Sequence, residues 1–294
     1  MIRLLALDID GTLLASNGQL PDENRDAISR AVDSGVEVAL ATGRRYDFAR
    51  PIFEQLPVPL TLILSNGALV KTKSGETLMR RLLPRDVARD VLAFAPHHRG
   101  GAAVTFDRPR EGQIVYELID WDHPVHHRFF QVNRPFLAEA SPLEACLVED
   151  PVQVMYTGGC REMRELFDAL RAAAIPPLPA ETTAIVQEEP GHRYSVALTE
   201  YEFRDFSLVD ILCAGCSKGS ALSDWAARRG YTRDEVMAVG DNLNDIEMLE
   251  FAGRPVIMGN AIHDLKVRGW TATATNDDAG VARAIETFIL REAS

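Results

Sequence analysis

Two carboxylates separated by one aliphatic residue end the first apolar run of the chain. Asp8 and Asp10 close the run from Leu4 to Ile9, and Gly11 follows directly. Side chains two positions apart in a strand lie on the same side, so both carboxylates can face one small volume. Such a pair repels itself unless a cation neutralises it, and oxygen ligands at this density suit Mg²⁺. Because Asp and Gly are also ordinary turn residues, these residues alone leave a simple strand-to-turn ending as the alternative.

Polar side chains also follow three later apolar runs. Each run is short and ends in Gly, Asn or carboxylates, as the first one does. The carboxyl ends of parallel strands meet at one edge of a sheet, where open α/β sheets bind ligands, so we expect these groups to converge. The residues are Thr42, Gly43, Arg44, Asn66, Asp241, Asn244 and Asp245, with Lys218 at the start of a predicted helix.

This collection of groups suits phosphoryl transfer. That reaction needs an in-line nucleophile, a metal and a lysine on the phosphoryl oxygens, orienting donors, and an acid/base for the leaving oxygen. Attack by a carboxylate divides hydrolysis into two steps through an aspartyl-phosphate. Lys218 would then place a positive charge on the phosphate, and Thr42 would donate a hydrogen bond. Taken alone, Thr42 is interpreted equally well as a helix N-cap followed by solvated arginines.

Short strands and helices alternate at both ends of the chain, whereas the middle lacks this order. We therefore predict an α/β protein with a doubly wound, parallel-sheet (Rossmann-like) core and an inserted α+β cap domain. The core is predicted over residues 1–83 and 208–294, and the cap over 84–207. Two domains suit the 294 residues. Within the cap we predict strands at Ala102–Phe106, Ile114–Leu118, Val152–Tyr156 and Tyr194–Leu198, and a helix over Arg161–Ala173.

Charge and hydropathy exclude several classes of partner. The chain has 31 Lys and Arg against 43 Asp and Glu, for a formal charge of -12. Such a surface repels nucleic acids and anionic membranes. No apolar run approaches the roughly 20 residues of a membrane span. We expect a reduced cytoplasmic protein, monomeric or weakly homodimeric, without nucleic-acid or membrane partners.

Cysteines and histidines offer two further groups, and we interpret both as structural. Cys213 and Cys216 have CxxC spacing but lack the second pair of a zinc site and an N-terminal thioredoxin-like context. His123, His126 and His127 form a cluster, yet the last two are adjacent and project differently. We therefore predict no second metal site.

At the level of motifs, the sequence resembles the haloacid dehalogenase superfamily, in particular the Cof-type phosphatases with a large cap inserted after the third core strand. The resemblance covers both ends of the chain in the family's order and is weak over about residues 84 to 207. Asp8-Ile-Asp-Gly-Thr-Leu13 resembles the first motif, Thr42-Gly-Arg44 the second, Ser217-Lys-Gly219 the third and Gly240-Asp-Asn-Leu-Asn-Asp-Ile-Glu-Met-Leu249 the fourth; Asn66-Gly-Ala68 and Met258-Gly-Asn-Ala261 also match.

This resemblance implies a role for each residue that matches a motif. Asp8 is expected to be the nucleophile and a Mg²⁺ ligand. Asp10 is expected to be the general acid/base and to ligate the metal through its backbone carbonyl. The remaining assignments are Asp241 as a metal ligand, Asp245 in support of the metal shell, Thr42, Gly43 and Lys218 on the phosphate, Asn244 orienting it, and Arg44 and Asn66 reaching the substrate.

The implied activity is magnesium-dependent hydrolysis of small phosphorylated metabolites, sugar phosphates first, through an aspartyl-phosphate. A phosphosugar mutase with the same chemistry remains an alternative. A non-catalytic protein that binds a phosphorylated ligand also remains, although such a protein would be expected to have lost Asp8 or Asp10. A signalling receiver domain is disfavoured, because its phospho-acceptor ends a middle strand, where this chain has Thr42 and Asn66.

Overall fold

The chain folds into two compact units. The computed structural model describes residues 1–123, 127–174, 192–201 and 205–291. One unit comprises Met1–Arg80 and Ser217–Ser294, and the other comprises Arg81–Cys216. The boundaries therefore fall at 80/81 and 216/217, whereas the sequence suggested 83/84 and 207/208. The second boundary differs because strand Phe206–Cys213 pairs with two strands of the second unit.

The first unit is built on an eight-stranded sheet. Strands are numbered along the whole chain, and those of this sheet are β1 (Leu4–Leu7), β2 (Glu37–Ala41), β3 (Thr61–Leu64), β4 (Leu69–Thr72), β5 (Thr77–Arg80), β12 (Val236–Gly240), β13 (Arg254–Ile257) and β14 (Thr271–Ala272). Their order is β14-β13-β12-β1-β2-β3-β4-β5. The pairs from β14 to β3 are parallel; β4 pairs antiparallel with β3, and β5 pairs antiparallel with β4 at the edge of the sheet.

β1 lies in the interior of this sheet between β12 and β2, and all four of its residues are buried. A strand covered on both faces needs apolar side chains throughout, which explains the unbroken run Leu-Leu-Ala-Leu. The predicted α/β class with a parallel core sheet is confirmed. The helices of this unit are α1 (Asp22–Asp33), α2 (Tyr46–Phe53), α6 (Lys218–Arg229), α7 (Ile246–Phe251), α8 (His263–Lys266) and α9 (Gly280–Ile285), which continues as π-helix over Glu286–Leu290.

The start of α6 is fixed by its N-cap. The hydroxyl of Ser217 accepts the backbone N–H of Ser220, and the Ser220 hydroxyl accepts the N–H of Ser217. Each bond satisfies a backbone donor that would otherwise lack a partner near the helix terminus. Lys218 is the first residue after this cap and is almost fully buried. The capping residues thus fix the start of α6 and, with it, the position of Lys218.

The second unit contains a six-stranded sheet in the order β10-β11-β9-β6-β7-β8. All neighbours are antiparallel except β7 and β8. The strands are β6 (Ala102–Thr105), β7 (Ile114–Tyr116), β8 (Leu137–Glu139), β9 (Gln153–Gly158), β10 (Tyr194–Tyr201) and β11 (Phe206–Cys213), and the helices are α3 (Arg85–Phe94), α4 (His127–Asn133) and α5 (Cys160–Ala173). The four predicted strands and the predicted helix are present; β8 and β11 were not predicted.

The longest described helix, α5, has 14 residues. Across the described ranges, no helix combines the length and the apolar character that a membrane crossing requires.

Candidate active site

Three carboxylates meet at the carboxyl edge of the first sheet. Asp8 follows β1 and Asp241 follows β12, and the two strands are parallel neighbours with Leu7 opposite Val239. The backbone N–H of Asp8 donates to the carbonyl of Val239 at 3.0 Å, which extends this pairing by one residue. Asp245 ends a 3₁₀ turn just after β12. One carboxylate oxygen from each aspartate lies within 4.8 Å of the others.

Lys218 lies between two of these carboxylates. Its Nζ donates to Oδ1 of Asp8 at 2.6 Å and to Oδ1 of Asp245 at 2.7 Å, and all three side chains are buried. The other oxygen of Asp245 accepts the backbone N–H groups of Asp241 and Asn242 at 2.9 and 3.0 Å. Asp245 therefore ties the lysine to the loop that carries Asp241.

The charges in this cluster do not balance. With all three carboxylates ionised, the cluster carries -3 against the +1 of the ammonium, which leaves -2 in a buried volume. Burial raises the pKa of Asp8 to about 8 against the opposing effect of Lys218, and burial together with Asp8 and Asp245 raises the pKa of Asp241 well above its usual range. Burial alone would lower the pKa of Lys218, but the two carboxylates raise it. One divalent cation would neutralise the remaining charge.

The donor set also fits such a cation. The three candidate ligand side chains all provide carboxylate oxygens, which hard cations such as Mg²⁺ prefer. Oδ1 of Asp241 accepts the hydroxyl of Thr12 at 2.8 Å, so this ligand is oriented by a second contact. Gly11 adopts φ +83°, and a Cβ there would lie 2.8 Å from Cγ of Asp241. The loop after β1 can approach this ligand only with glycine at that position.

Asp10 lies outside the three-carboxylate cluster and is bound by Arg44. Nε of Arg44 donates to Oδ2 of Asp10 at 2.7 Å, and Nη2 donates to Oδ1 at 2.6 Å. Both side chains are partly exposed. The sequence suggested that Arg44 reaches a substrate, whereas its guanidinium here binds a carboxylate of the same chain. Metal ligation by Asp10 through its backbone carbonyl stays a prediction.

The loops after β2 and β3 form a second set of linked polar groups. The buried hydroxyl of Thr42 accepts the backbone N–H of Arg44 at 3.1 Å, and the carbonyl of Thr42 accepts the N–H of Asn66 at 3.0 Å. Oδ1 of Asn66 accepts Nδ2 of Asn244 at 3.0 Å. A Cβ on Gly43 would lie 3.3 Å from the Asn66 amide, so this approach is tight. The structure brings five predicted positions, Thr42, Gly43, Arg44, Asn66 and Asn244, into one connected group.

Several residues with contacts in this site received no role from the sequence. Thr12 holds Asp241, and Nδ2 of Asn260 donates to the carbonyl of Gly11 at 2.8 Å while its Oδ1 accepts the N–H of Asn276. Both Thr12 and Asn260 belong to motifs that the resemblance covers, and this membership could have marked them as site residues. Their partners could not be predicted, because Asn260 and Gly11 are 249 positions apart.

The cysteines and the described histidines do not belong to the group of three aspartates. The backbone N–H of Cys216 donates to the carbonyl of Cys213 in a turn, and neither cysteine forms a disulfide. His127 contacts the carbonyl of His123, while His126 lies outside the described residues. Within the parts of the chain that the structure describes, the three aspartates form the one group of His, Cys, Asp or Glu arranged to hold a metal.

Comparison with known proteins gives one consistent family. The sequence matches the haloacid dehalogenase-like hydrolases over residues 5–132 and 179–285. Phosphatase YwpJ of Bacillus subtilis is 29% identical, over 97% of this chain and 99% of its own. The HMP-PP phosphatase of Serratia proteamaculans is 30% identical, over 90% and 87%. A crystal structure of a haloacid dehalogenase-like hydrolase from Bacteroides thetaiotaomicron is 25% identical, with a TM-score of 0.73, over 98% and 100%.

The family match covers both ends of the chain, where the site residues lie, and the relatives match nearly end to end. The sequence predicts an enzyme, specifically a hydrolase of the phosphatase type. The family match and the relatives named as phosphatases confirm this prediction. The chain belongs to the family of haloacid dehalogenase-like hydrolases.

Proposed function

We propose that this chain is a magnesium-dependent phosphatase that hydrolyses small phosphorylated metabolites through an aspartyl-phosphate at Asp8. The observation that carries this proposal is the buried group of Asp8, Asp241 and Asp245 around Lys218. It combines a candidate nucleophile, oxygen ligands for a cation and a fixed positive charge in one place, which phosphoryl transfer requires. Relatives named as phosphatases support the same reaction.

The reaction takes two steps. First, a carboxylate oxygen of Asp8 attacks the phosphorus, the bond from phosphorus to the leaving oxygen breaks, and Asp10 gives that oxygen its proton. Next, a water molecule attacks the phosphorus and gives a proton to Asp10, and the bond between phosphorus and Asp8 breaks. One water is consumed, inorganic phosphate and the alcohol are released, and both aspartates return to their starting forms.

Several side chains would hold the phosphate during these steps. Lys218 already lies against the attacking carboxylate, so its charge is in place before a substrate binds. The Thr42 hydroxyl accepts a backbone N–H, which leaves its hydrogen for a phosphoryl oxygen. Asn244, oriented by Asn66, would supply a further donor. Mg²⁺, held by Asp8, Asp241 and the carbonyl of Asp10 with support from Asp245, would neutralise charge on the phosphoryl oxygens.

We assign the choice among substrates to the second unit, Arg81–Cys216, and sugar phosphates are the first class to test. The groups at the strand edge of the first unit all suit a phosphate and a metal, so recognition of the leaving group needs other residues. A relative named for HMP-PP supports a small phosphorylated metabolite. The net charge of -12 disfavours polyanions such as nucleic acids. A cytoplasmic location and a monomer or weak homodimer belong to the same proposal.

Phosphate release from a panel of phosphorylated metabolites, measured with Mg²⁺, tests this function. Asp8→Asn keeps the shape of the side chain and removes the nucleophile, so turnover should fall by about 10³-fold or more. Asp264→Asn is the matched control, since Asp264 is exposed on α8, and it should match wild type. Near-wild-type turnover by Asp8→Asn would contradict the proposal. A requirement for an added bisphosphorylated sugar would indicate a mutase instead.

A further inference from the structure

Arg44 and Asp10 form a two-point contact that the family match does not explain. Two different nitrogens of the guanidinium donate to the two different oxygens of the carboxylate, at 2.7 and 2.6 Å. Such a planar, bidentate pair fixes both the distance and the orientation of the carboxylate plane. A single hydrogen bond would leave the plane free to rotate. This geometry therefore holds Asp10 in one orientation.

Arg44 is itself held from two further directions. Its Nη1 donates to the backbone carbonyl of Phe48 at 3.3 Å, and its guanidinium carbon lies 4.4 Å from the centre of the Phe48 ring. Phe48 belongs to the first turn of α2, so these contacts tie the guanidinium to a helix. The backbone N–H of Arg44 donates to Thr42, which fixes the other end of the residue. The arginine is therefore a rigid support for what it binds.

Asp10 needs such a support because packing does not provide one. The side chain of Asp10 is 30% exposed, whereas that of Asp8 is 6% exposed. A partly exposed carboxylate samples several rotamers unless a partner selects one. Proton transfer to a leaving oxygen depends on the donor being within hydrogen-bond reach and correctly oriented.

We propose that Arg44 is a positioning residue that orients Asp10 for proton transfer to the leaving oxygen, and that it does not bind the substrate. This inference rests on the proposed function, in which Asp10 is the acid. Its consequence is specific to the leaving group. An alkoxide must be protonated as it departs, whereas p-nitrophenolate departs without a proton. Loss of Arg44 should therefore slow alkyl phosphates far more than aryl phosphates.

The test compares kcat/KM for glycerol 2-phosphate and p-nitrophenyl phosphate in the full-length enzyme with Mg²⁺. This ratio reports events up to departure of the leaving group and is not affected by the later hydrolysis step. Arg44→Lys keeps the charge but cannot bridge both oxygens, and Arg44→Gln removes the charge as well. Arg50→Gln is the matched control, because Arg50 on α2 makes an exposed Arg–carboxylate pair with Glu54, the residue that follows this helix.

For both Arg44 variants, kcat/KM for the alkyl ester should fall at least about 10-fold more than for the aryl ester, with KM nearly unchanged. Phe48→Ala, which loosens the guanidinium, should shift the ratio in the same direction by less. In an Asp10→Asn background, Arg44→Lys should add little further discrimination between the two esters. Arg50→Gln should leave the ratio at its wild-type value.

Three outcomes would overturn the inference. A similar rise in KM for both esters would place Arg44 on the substrate phosphate. An equal fall in kcat/KM for both esters, with a lower Tm, would give Arg44 a structural role only. A wild-type enzyme that hydrolyses neither ester and no member of the metabolite panel would overturn the proposed function as well, whereas the first two results would leave that function standing.

Discussion

Nζ of Lys218 lies 2.6 Å from Oδ1 of Asp8, with both side chains buried. The bond joins the first residue after β1 to the first residue of α6, which are 210 positions apart in the chain. Asp245 accepts a second bond from the same ammonium group. One lysine thus links the two ends of the sequence at the point where the chemistry is proposed to occur.

Lys218→Met should therefore cost both stability and activity. The substitution preserves much of the side-chain volume but leaves buried carboxylates without their counter-charge. Loss of one partner from a buried ion pair costs about 3–5 kcal/mol, and loss of a charge on the reacting oxygens costs about 10²-fold or more in turnover. Urea unfolding without divalent cations and steady-state phosphate release measure the two effects. Lys266→Met, on the exposed side of α8, should change neither; a Lys218→Met enzyme that behaves like this control would contradict the assigned role.

Gly11→Ala should weaken metal binding more than folding. Gly11 and Gly18 have nearly the same φ, +83° and +79°, so alanine brings similar backbone strain at both, about 1 kcal/mol. Their surroundings differ: a Cβ at Gly11 would overlap with Asp241, whereas nothing lies within 4 Å at Gly18. The Mg²⁺ concentration for half-maximal activity should rise at least about 10-fold in Gly11→Ala alone. Equal values in the two variants would show that the close approach to Asp241 is not needed.

The stability of the metal-free protein should fall as the pH rises from about 5 to 9. Burial raises the pKa of Asp8 to about 8 from an unfolded value near 3.8, so the folded state holds a proton that the unfolded state releases. This contribution is complete below the unfolded pKa and is lost as the pH passes the folded pKa. Asp241 acts in the same direction, and Lys218, whose pKa is raised, stays protonated throughout.

Tm measured across this pH range with a chelator, and again with Mg²⁺, tests the pH prediction. Mg²⁺ should flatten the dependence, because bound carboxylates have no proton to lose. Asp8→Asn with a chelator should also show a shallower fall than wild type, since one titrating group is gone. A wild-type Tm that rises with pH in the chelator would mean that these carboxylates are ionised in the folded state at all pH values tested.

Activity should require Mg²⁺, and Ca²⁺ should inhibit it. Ca²⁺ accepts up to about eight oxygens in loose geometry, so both oxygens of Asp8 could bind it, whereas octahedral Mg²⁺ leaves one oxygen for attack. Phosphate release with each cation, singly and in competition, distinguishes these cases. Full activity in excess chelator, or with Ca²⁺ alone, would rule out the proposed use of the metal.

Replacing residues 81–216 with a short Gly/Ser linker should remove discrimination among substrates while sparing part of the chemistry. The first unit has its own buried core, which includes Leu4, Leu222 and Leu249. Circular dichroism should first show that the variant is folded. We then expect aryl phosphatase activity and Mg²⁺ binding to persist, with sugar phosphates hydrolysed at similar low rates. An unchanged ranking of sugar phosphates would assign specificity to the first unit.

The core elements and the types of site residue could be predicted because the signals are local. Buried strands such as β1 need unbroken apolar runs. A polar residue that directly follows such a run can therefore be picked out as a candidate site residue from the sequence. β11 was not predicted as part of the second unit. β11 pairs with β10, its neighbour in sequence, and with β9, which is distant in sequence, and the second pairing is not specified by local residues.

Partners within the site could not be predicted for the same reason. Thr12 and Asp241 are 229 positions apart, and nothing near either residue specifies the bond between them. The family resemblance implied that Arg44 reaches the substrate. The anion that Arg44 contacts is Asp10, 34 positions earlier. Residue types are thus apparent from the sequence, whereas the pairing of charges requires the fold.

The most direct test of the central claim is whether phosphate becomes bonded to Asp8. Wild-type enzyme mixed with Mg²⁺ and an excess of p-nitrophenyl phosphate, quenched in acid within the first turnovers and digested, would be examined by mass spectrometry. The peptide that contains Asp8 should carry a phosphoryl group, which hydroxylamine removes, and the Asp8→Asn enzyme should carry none. Active wild-type enzyme with phosphate on another residue, or an Asp8→Asn enzyme that releases phosphate at the wild-type rate, would contradict the claim that Asp8 is the nucleophile.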